Sequence, residues 1–154
     1  VSPVGLILVA VSLVSADGER IPSEPVTLSV VSVEARREAR PEKFFGPGLE
    51  SVKRALVALN FDTFNRVSSA ELPVPYGTEQ QIFINKKYTL FVEPVSQTDD
   101  GRVRLRARVT MKSRDGTKTA DAIDTTLLIK PGTHLNIGGL RLDSGELILV
   151  VSVK

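Results

Sequence analysis

The chain has 154 residues, 42% hydrophobic and 25% charged, a one-domain length whose globular composition excludes disorder over most of it. Twenty Lys and Arg oppose eighteen Asp and Glu, and a net charge of +2 gives no electrostatic case for nucleic acid. With no cysteine and one histidine, disulfides, cysteine nucleophiles and His/Cys zinc sites are excluded.

The chain opens on Val1 rather than Met, as a processed chain or a fragment does. The simplest history is cleavage of a secretory signal just upstream, which places the protein outside the cell or on a bacterial surface. Residues 4–14 form an apolar run too short for a membrane helix, which needs about 20 residues. Its Val, Ile and Leu content predicts a strand. Leu6 and Leu8 lie on one face and Ile7, Val9 and Val11 on the other, with Val4 and Leu13 at the ends. Such a strand needs cover on both sides. Asp17-Gly18, Pro22 and Pro25 then mark a loop, and Val26–Glu34 is a second β-branched run. Residues 1–16 read as an N-terminal strand or extension, and 17–154 as a single β-rich domain.

Residues 34–48, charged and then rich in Pro and Gly, predict a loop. Leu49, Val52, Leu56 and Leu59 recur at spacings of three, four and three, which predicts one amphipathic helix over 49–59. Strands follow at Phe61–Leu72, Gln81–Ile84 and Tyr88–Val95, the last two joined by a turn at Asn85-Lys86-Lys87. Val103–Met111 alternates strictly, as does Thr119–Ile129, and Glu146–Val153 is apolar on both faces. Turns fall at Asp99-Asp100-Gly101, Asp115-Gly116, Pro131-Gly132 and Asp143-Ser144-Gly145. This spacing predicts an antiparallel β-sandwich or barrel of about eight strands.

Candidate chemistry is sparse. His134 has no nucleophile or orienting carboxylate in sequence and reads as a loop histidine. The acidic pairs Asp99-Asp100 and Asp121/Asp124 lack the fixed oxygen spacing of a calcium loop and read as turn residues. Gly138-Gly139 has neither the phosphate-loop pattern nor a following helix, and reads as a bulge or tight corner. No enzyme activity and no cofactor are expected. No Asn-x-Ser/Thr sequon occurs, so any glycan would be O-linked.

Alternation puts Arg102, Arg104, Arg106 and Arg108 on one strand face, with Lys112 and Arg114 extending the stripe. Cations roughly 6.6–6.8 Å apart make a linear ridge that can contact an acidic polysaccharide or an acidic subunit. The plainer reading is a solvated sheet face paired with carboxylates on adjacent strands. The aromatic platforms of single-strand nucleic-acid binding are absent beside it.

The N-terminal run and the β-rich pattern together resemble the donor-strand subunits of bacterial pili and fibres. The resemblance covers residues 1–15 and the general sandwich pattern, and this chain differs in having no disulfide and in its helical segment. It implies that residues 4–14 are donated to a neighbouring copy, giving a head-to-tail homopolymer. The segment Asp124–Leu140, ending in Ile-Gly-Gly-Leu, looks like a strand–turn–strand of bacterial secretin barrels and hints at an envelope β-protein. The expected function is therefore a structural subunit of a secreted bacterial filament. The alternative is a monomeric envelope module that holds an acidic partner on its basic strand face.

Overall fold

The computed structural model describes residues 18–154, so the expectations for Val4, Leu6, Ile7, Leu8, Val9, Val11 and Leu13 lie outside the described residues. The elements run β1 (Val26–Arg36), β2 (Phe44–Phe45), α1 (Lys53–Leu56), β3 (Thr63–Val74), β4 (Gln80–Phe83) and β5 (Tyr88–Gln97). They continue as β6 (Val103–Lys112), β7 (Thr119–Ile129), β8 (His134–Leu142) and β9 (Gly145–Val153). They build a five-stranded sheet in the order β2-β3-β1-β9-β8 and a four-stranded sheet in the order β4-β5-β6-β7. All pairings are antiparallel except β2 with β3, and the two sheets form a sandwich with no closed barrel.

The period-two pattern decides which side chains meet. In β6 Val103, Leu105, Ala107 and Val109 are buried while the arginines between them point outward. They face Leu28, Val30, Leu147, Leu149 and Val151 of the five-stranded sheet across the sandwich core. The central strands β1 and β9 are apolar on their other face too. Val31, Val33 and Ala35 of β1 and Ile148 and Val150 of β9 enter a second core. Its lid is the segment 44–61, which lays Phe45, Leu49, Val52 and Leu56 on the back of the sheet. Further along, the back of β1 turns polar at Thr27 and Ser29, and that of β9 at Ser152, where the lid no longer reaches.

The helix expected over 49–59 is confined to one turn, Lys53–Leu56, with turns on either side. Its N-cap, Val52, offers no side-chain hydrogen bond, Gly46-Pro47-Gly48 precede it, and nucleating a helix for so few residues is costly. Its apolar face survives, because burial against β1 and β9 rather than propensity holds the segment in place. Leu49, Val52 and Leu56 are each no more than 3% exposed. The loop expected over 34–48 is shortened as well: β1 runs on to Arg36, and Phe44–Phe45 add a short parallel edge beside β3.

Gly138-Gly139 is a bulge. The pairing of β8 with β9 slips between Ile137 and Leu140, and Gly139 takes a φ of 86°, a conformation that favours glycine. No helix among the described residues is long and apolar enough to cross a membrane.

Candidate functional site

Two surfaces of the four-stranded sheet are the candidates: its outward face and its open edge. The face is a grid set by register. Gln81, Phe91, Arg108 and Asp124 form one cross-strand row, and Phe83, Thr89, Thr110 and Asp121 the next. Arg104, Arg106 and Arg108 of β6, and Arg102 just before it, have carboxylates in reach. Arg104 makes a two-pronged contact with Glu19, its Nε and Nη2 donating at 2.8 and 2.9 Å. Arg106 Nη2 lies 3.2 Å from Asp124, and Arg102 Nε 3.0 Å from Asp100. Arg108 reaches Glu79 and Asp121, each at 3.4 Å, with its guanidinium 4.3 Å above the ring of Phe91. The ridge thus carries four cations against five carboxylates. An acidic partner would have to displace those pairs, so the geometry favours a solvated, internally compensated face over a cationic track.

Asp121 and Asp124 therefore serve neither a turn nor a calcium loop. They stand on β7 and pair diagonally across to β6: Asp124 lies opposite Arg108 but reaches Arg106, and Asp121 lies opposite Thr110 but reaches Arg108. Asp99-Asp100 does sit in a turn, where Asp100 accepts from the Thr98 hydroxyl and Arg102. His134 is exposed at the start of β8. Among the described residues no group of three or more His, Asp or Glu side chains converges as a metal site.

Glu19 fastens the start of the described chain to this face. Hydrogen bonds from Arg104 and then Ser96 hold its carboxyl at about 2, below the ordinary 4.5. The next residue, Arg20, exchanges backbone hydrogen bonds with Gln97 at 2.8 and 2.7 Å. A depressed carboxyl pKa stabilises the attachment above pH 4.5, and the stabilisation is lost as pH falls toward 2. An NMR titration of the Glu19 carboxyl carbon is expected to show a midpoint near 2 that moves back toward 4.5 in Arg104→Ala.

The open edge is β7. Eight of its eleven residues, from Thr119 onward, alternate between exposed and half-buried or are fully exposed, and it contains no proline, lysine or arginine. Its pairing with β6 slips once near Ala122, then runs unbroken from Ile123 to Ile129. The other edges are blunter. β2 has two residues and β4 four, and β8 is kinked by its glycine bulge. Charged side chains, proline, short length and bulges protect sheet edges, and of these Ile123–Ile129 has only Asp124, whose carboxylate is turned to Arg106.

A further basic cluster is assembled only by the fold. In sequence Lys86 and Lys87 mark a turn, and Lys112 and Arg114 extend the arginine stripe. The structure gathers them at one end of the sandwich, where the β4–β5, β6–β7 and β8–β9 turns meet. Lys112 N donates to Lys87 O at 2.8 Å, and Lys87 Nζ and the Tyr88 hydroxyl both donate to Arg141 O, at 3.3 and 2.8 Å. The β4–β5 turn holds two of these cations, the end of β6 and the β6–β7 turn hold the other two, the β8–β9 turn holds none, and sequence spacing alone does not bring the turns together. The nearest signal was the run Asn85-Lys86-Lys87 next to Phe83, a large apolar residue on a strand otherwise alternating toward solvent. Compared with models of known protein families, with curated proteins and with solved structures, the chain finds no match in any of the three.

Proposed function

We propose that the chain is a structural subunit of a secreted bacterial filament, assembled head to tail by strand addition. Residues 4–14 of one copy pair along β7 of the next. The observation that carries the reading is the straight, open edge at Ile123–Ile129, free of proline, lysine and bulges, in a chain that also holds an eleven-residue run apolar on both faces. An added strand would satisfy the backbone groups along that edge. Its alternate side chains would extend the sandwich core beside Ile123 and Leu127, which are half-buried against it now. The contact joins two different surfaces, so it does not close on itself and propagates.

The test is negative-stain electron microscopy and size-exclusion chromatography of the full chain beside a chain lacking residues 1–16. The deletion removes none of the nine strands among the described residues, so far-UV circular dichroism is expected to keep its β signal. Filaments are expected from the full chain alone. A synthetic peptide of residues 1–16 added to the truncated chain is expected to slow amide exchange across Ile123–Ile129. Filaments of unchanged length from the truncated chain would sink the reading, as would a monomeric full chain.

A further inference from the structure

We infer that the turn-bearing end of the sandwich, centred on Lys86, Lys87, Lys112 and Arg114, is a binding surface for an acidic polysaccharide. The charge balance there is unlike that of the arginine ridge. With Lys118 the end carries five cations, and its carboxylates are Asp115 and Asp143. Asp115 is engaged within its own turn, accepting from the Ser113 hydroxyl at 2.6 Å and from Thr117 N at 3.1 Å. Among the described residues none of the five cations forms an ion pair. Five of the thirteen Lys and Arg that form no ion pair among the described residues thus gather at this one end.

The lysines are presented by a fixed turn. Asn85 Oδ1 accepts from the backbone N–H of Lys87 and Tyr88 at 2.9 and 2.8 Å, which locks the β4–β5 connection. Two shallow clefts flank the Lys87–Lys112 pair. One, of about 420 Å³, runs between Lys86, Arg114 and Asp143. The other, of about 260 Å³, opens onto the sheet face between Phe83 and Thr119. Open clefts on either side of a row of cations suit an extended polymer better than a single small ion.

The second cleft selects among polyanions. Its wall is Phe83, 66% exposed and the most exposed large hydrophobic side chain among the described residues. Its floor is amide and hydroxyl: Gln81, Thr89, Thr110 and Thr119. One ring beside several hydrogen-bonding side chains fits the apolar face and hydroxyls of a sugar. Single-stranded nucleic acid calls for successive stacking platforms, and the neighbouring ring, Phe91, is already covered by Arg108.

The experiment measures binding of the full chain to immobilised polygalacturonate, with neutral dextran and oligothymidylate as comparators. Binding to polygalacturonate is expected, weakening as salt is raised, with none to dextran. The double variant Lys86→Glu/Lys112→Glu alters two exposed side chains that have no ion pair and is expected to lose about tenfold or more in affinity. Phe83→Ala is expected to weaken binding several-fold, and Arg106→Ala on the compensated ridge to leave it unchanged. Absence of polygalacturonate binding, or binding indifferent to the lysine variants, overturns the inference. Equal or tighter binding of oligothymidylate overturns its choice of polymer. None of these outcomes depends on residues 1–16, so the filament reading and this one stand or fall separately.

Discussion

Leu149→Ala and Ile148→Ala, made separately, are each expected to lower the unfolding free energy by about 2–5 kcal/mol in urea titrations. The two residues are neighbours on β9 and so point to opposite faces of the sheet. In a sandwich whose outer face meets water, one of such a pair is a surface residue, and its truncation stays within about 0.5 kcal/mol. Here Leu149 is fully buried in the core between the sheets, and Ile148 is 2% exposed beneath the lid formed by residues 44–61. Their partners on β1 make the same division: Leu149 lies opposite Ser32 and Ile148 opposite Val33. Comparable losses at both positions, with an unchanged denaturant slope, are the mark of a sheet sealed on both faces. A loss confined to Leu149→Ala would mean that the lid does not exclude water from Ile148.

This doubled burial was written in the sequence as strands with no polar face. Glu146–Val153 carries consecutive apolar residues from Leu147 to Val151, which an antiparallel strand with one wet face cannot tolerate. The strict alternation of β6 and β7 was equally plain, because their outer face does meet solvent. The lid was harder to read. The spacing of Leu49, Val52 and Leu56 correctly gave the buried face, yet the same spacing overstated the helix, since an i, i+3, i+7 pattern of burial can be met by one helical turn between two ordinary turns. Phe44–Phe45 escaped notice because a two-residue parallel edge has no periodicity to display.

The candidate surfaces divide along the same line. The arginine ridge was legible as a face, since a period of two is a local property. Its compensation was not, because Glu19 and Glu79 reach Arg104 and Arg108 from segments far away in the chain. The basic end needs three turns brought together by the pairing of β5 with β6 and by the contact of Lys87 and Tyr88 with Arg141 O on the other sheet, so no window of sequence contains it. The β7 edge needs the strand order: Thr119–Ile129 reads as a good strand, and only topology makes it the last one in its sheet.

Phe64→Ala is expected to cost about 3–5 kcal/mol, the largest loss from any single truncation in the second core. Phe64 is fully buried, opposite Ala35, whose small side chain leaves room for the ring. It stacks on Phe45 with ring centroids 5.0 Å apart and meets Phe61 edge-on at 6.4 Å, contacts worth about 0.5–1.5 kcal/mol each beyond area burial. The ring therefore joins both ends of the lid, since Phe45 lies before the helical turn and Phe61 after it. Lys43 reinforces that closure: its Nζ donates to Val57 O at 2.7 Å and also to Leu59 O, fixing the stretch that leaves α1. Phe64→Leu keeps apolar volume but loses the stacking and is expected to retain roughly half of the stability that alanine forfeits. Phe44→Ala, at a ring 41% exposed on the short edge, is expected to stay within about 0.5 kcal/mol. The shape of the Phe64→Ala transition carries as much information as its midpoint. β1 and β9 give alternate side chains to both cores, so a lid that is integral to the fold lowers one cooperative transition. A separate early phase, seen by amide exchange at Val31, Val33 and Ile148 before the sandwich core opens, would instead make the lid a detachable unit laid over an independently stable sandwich.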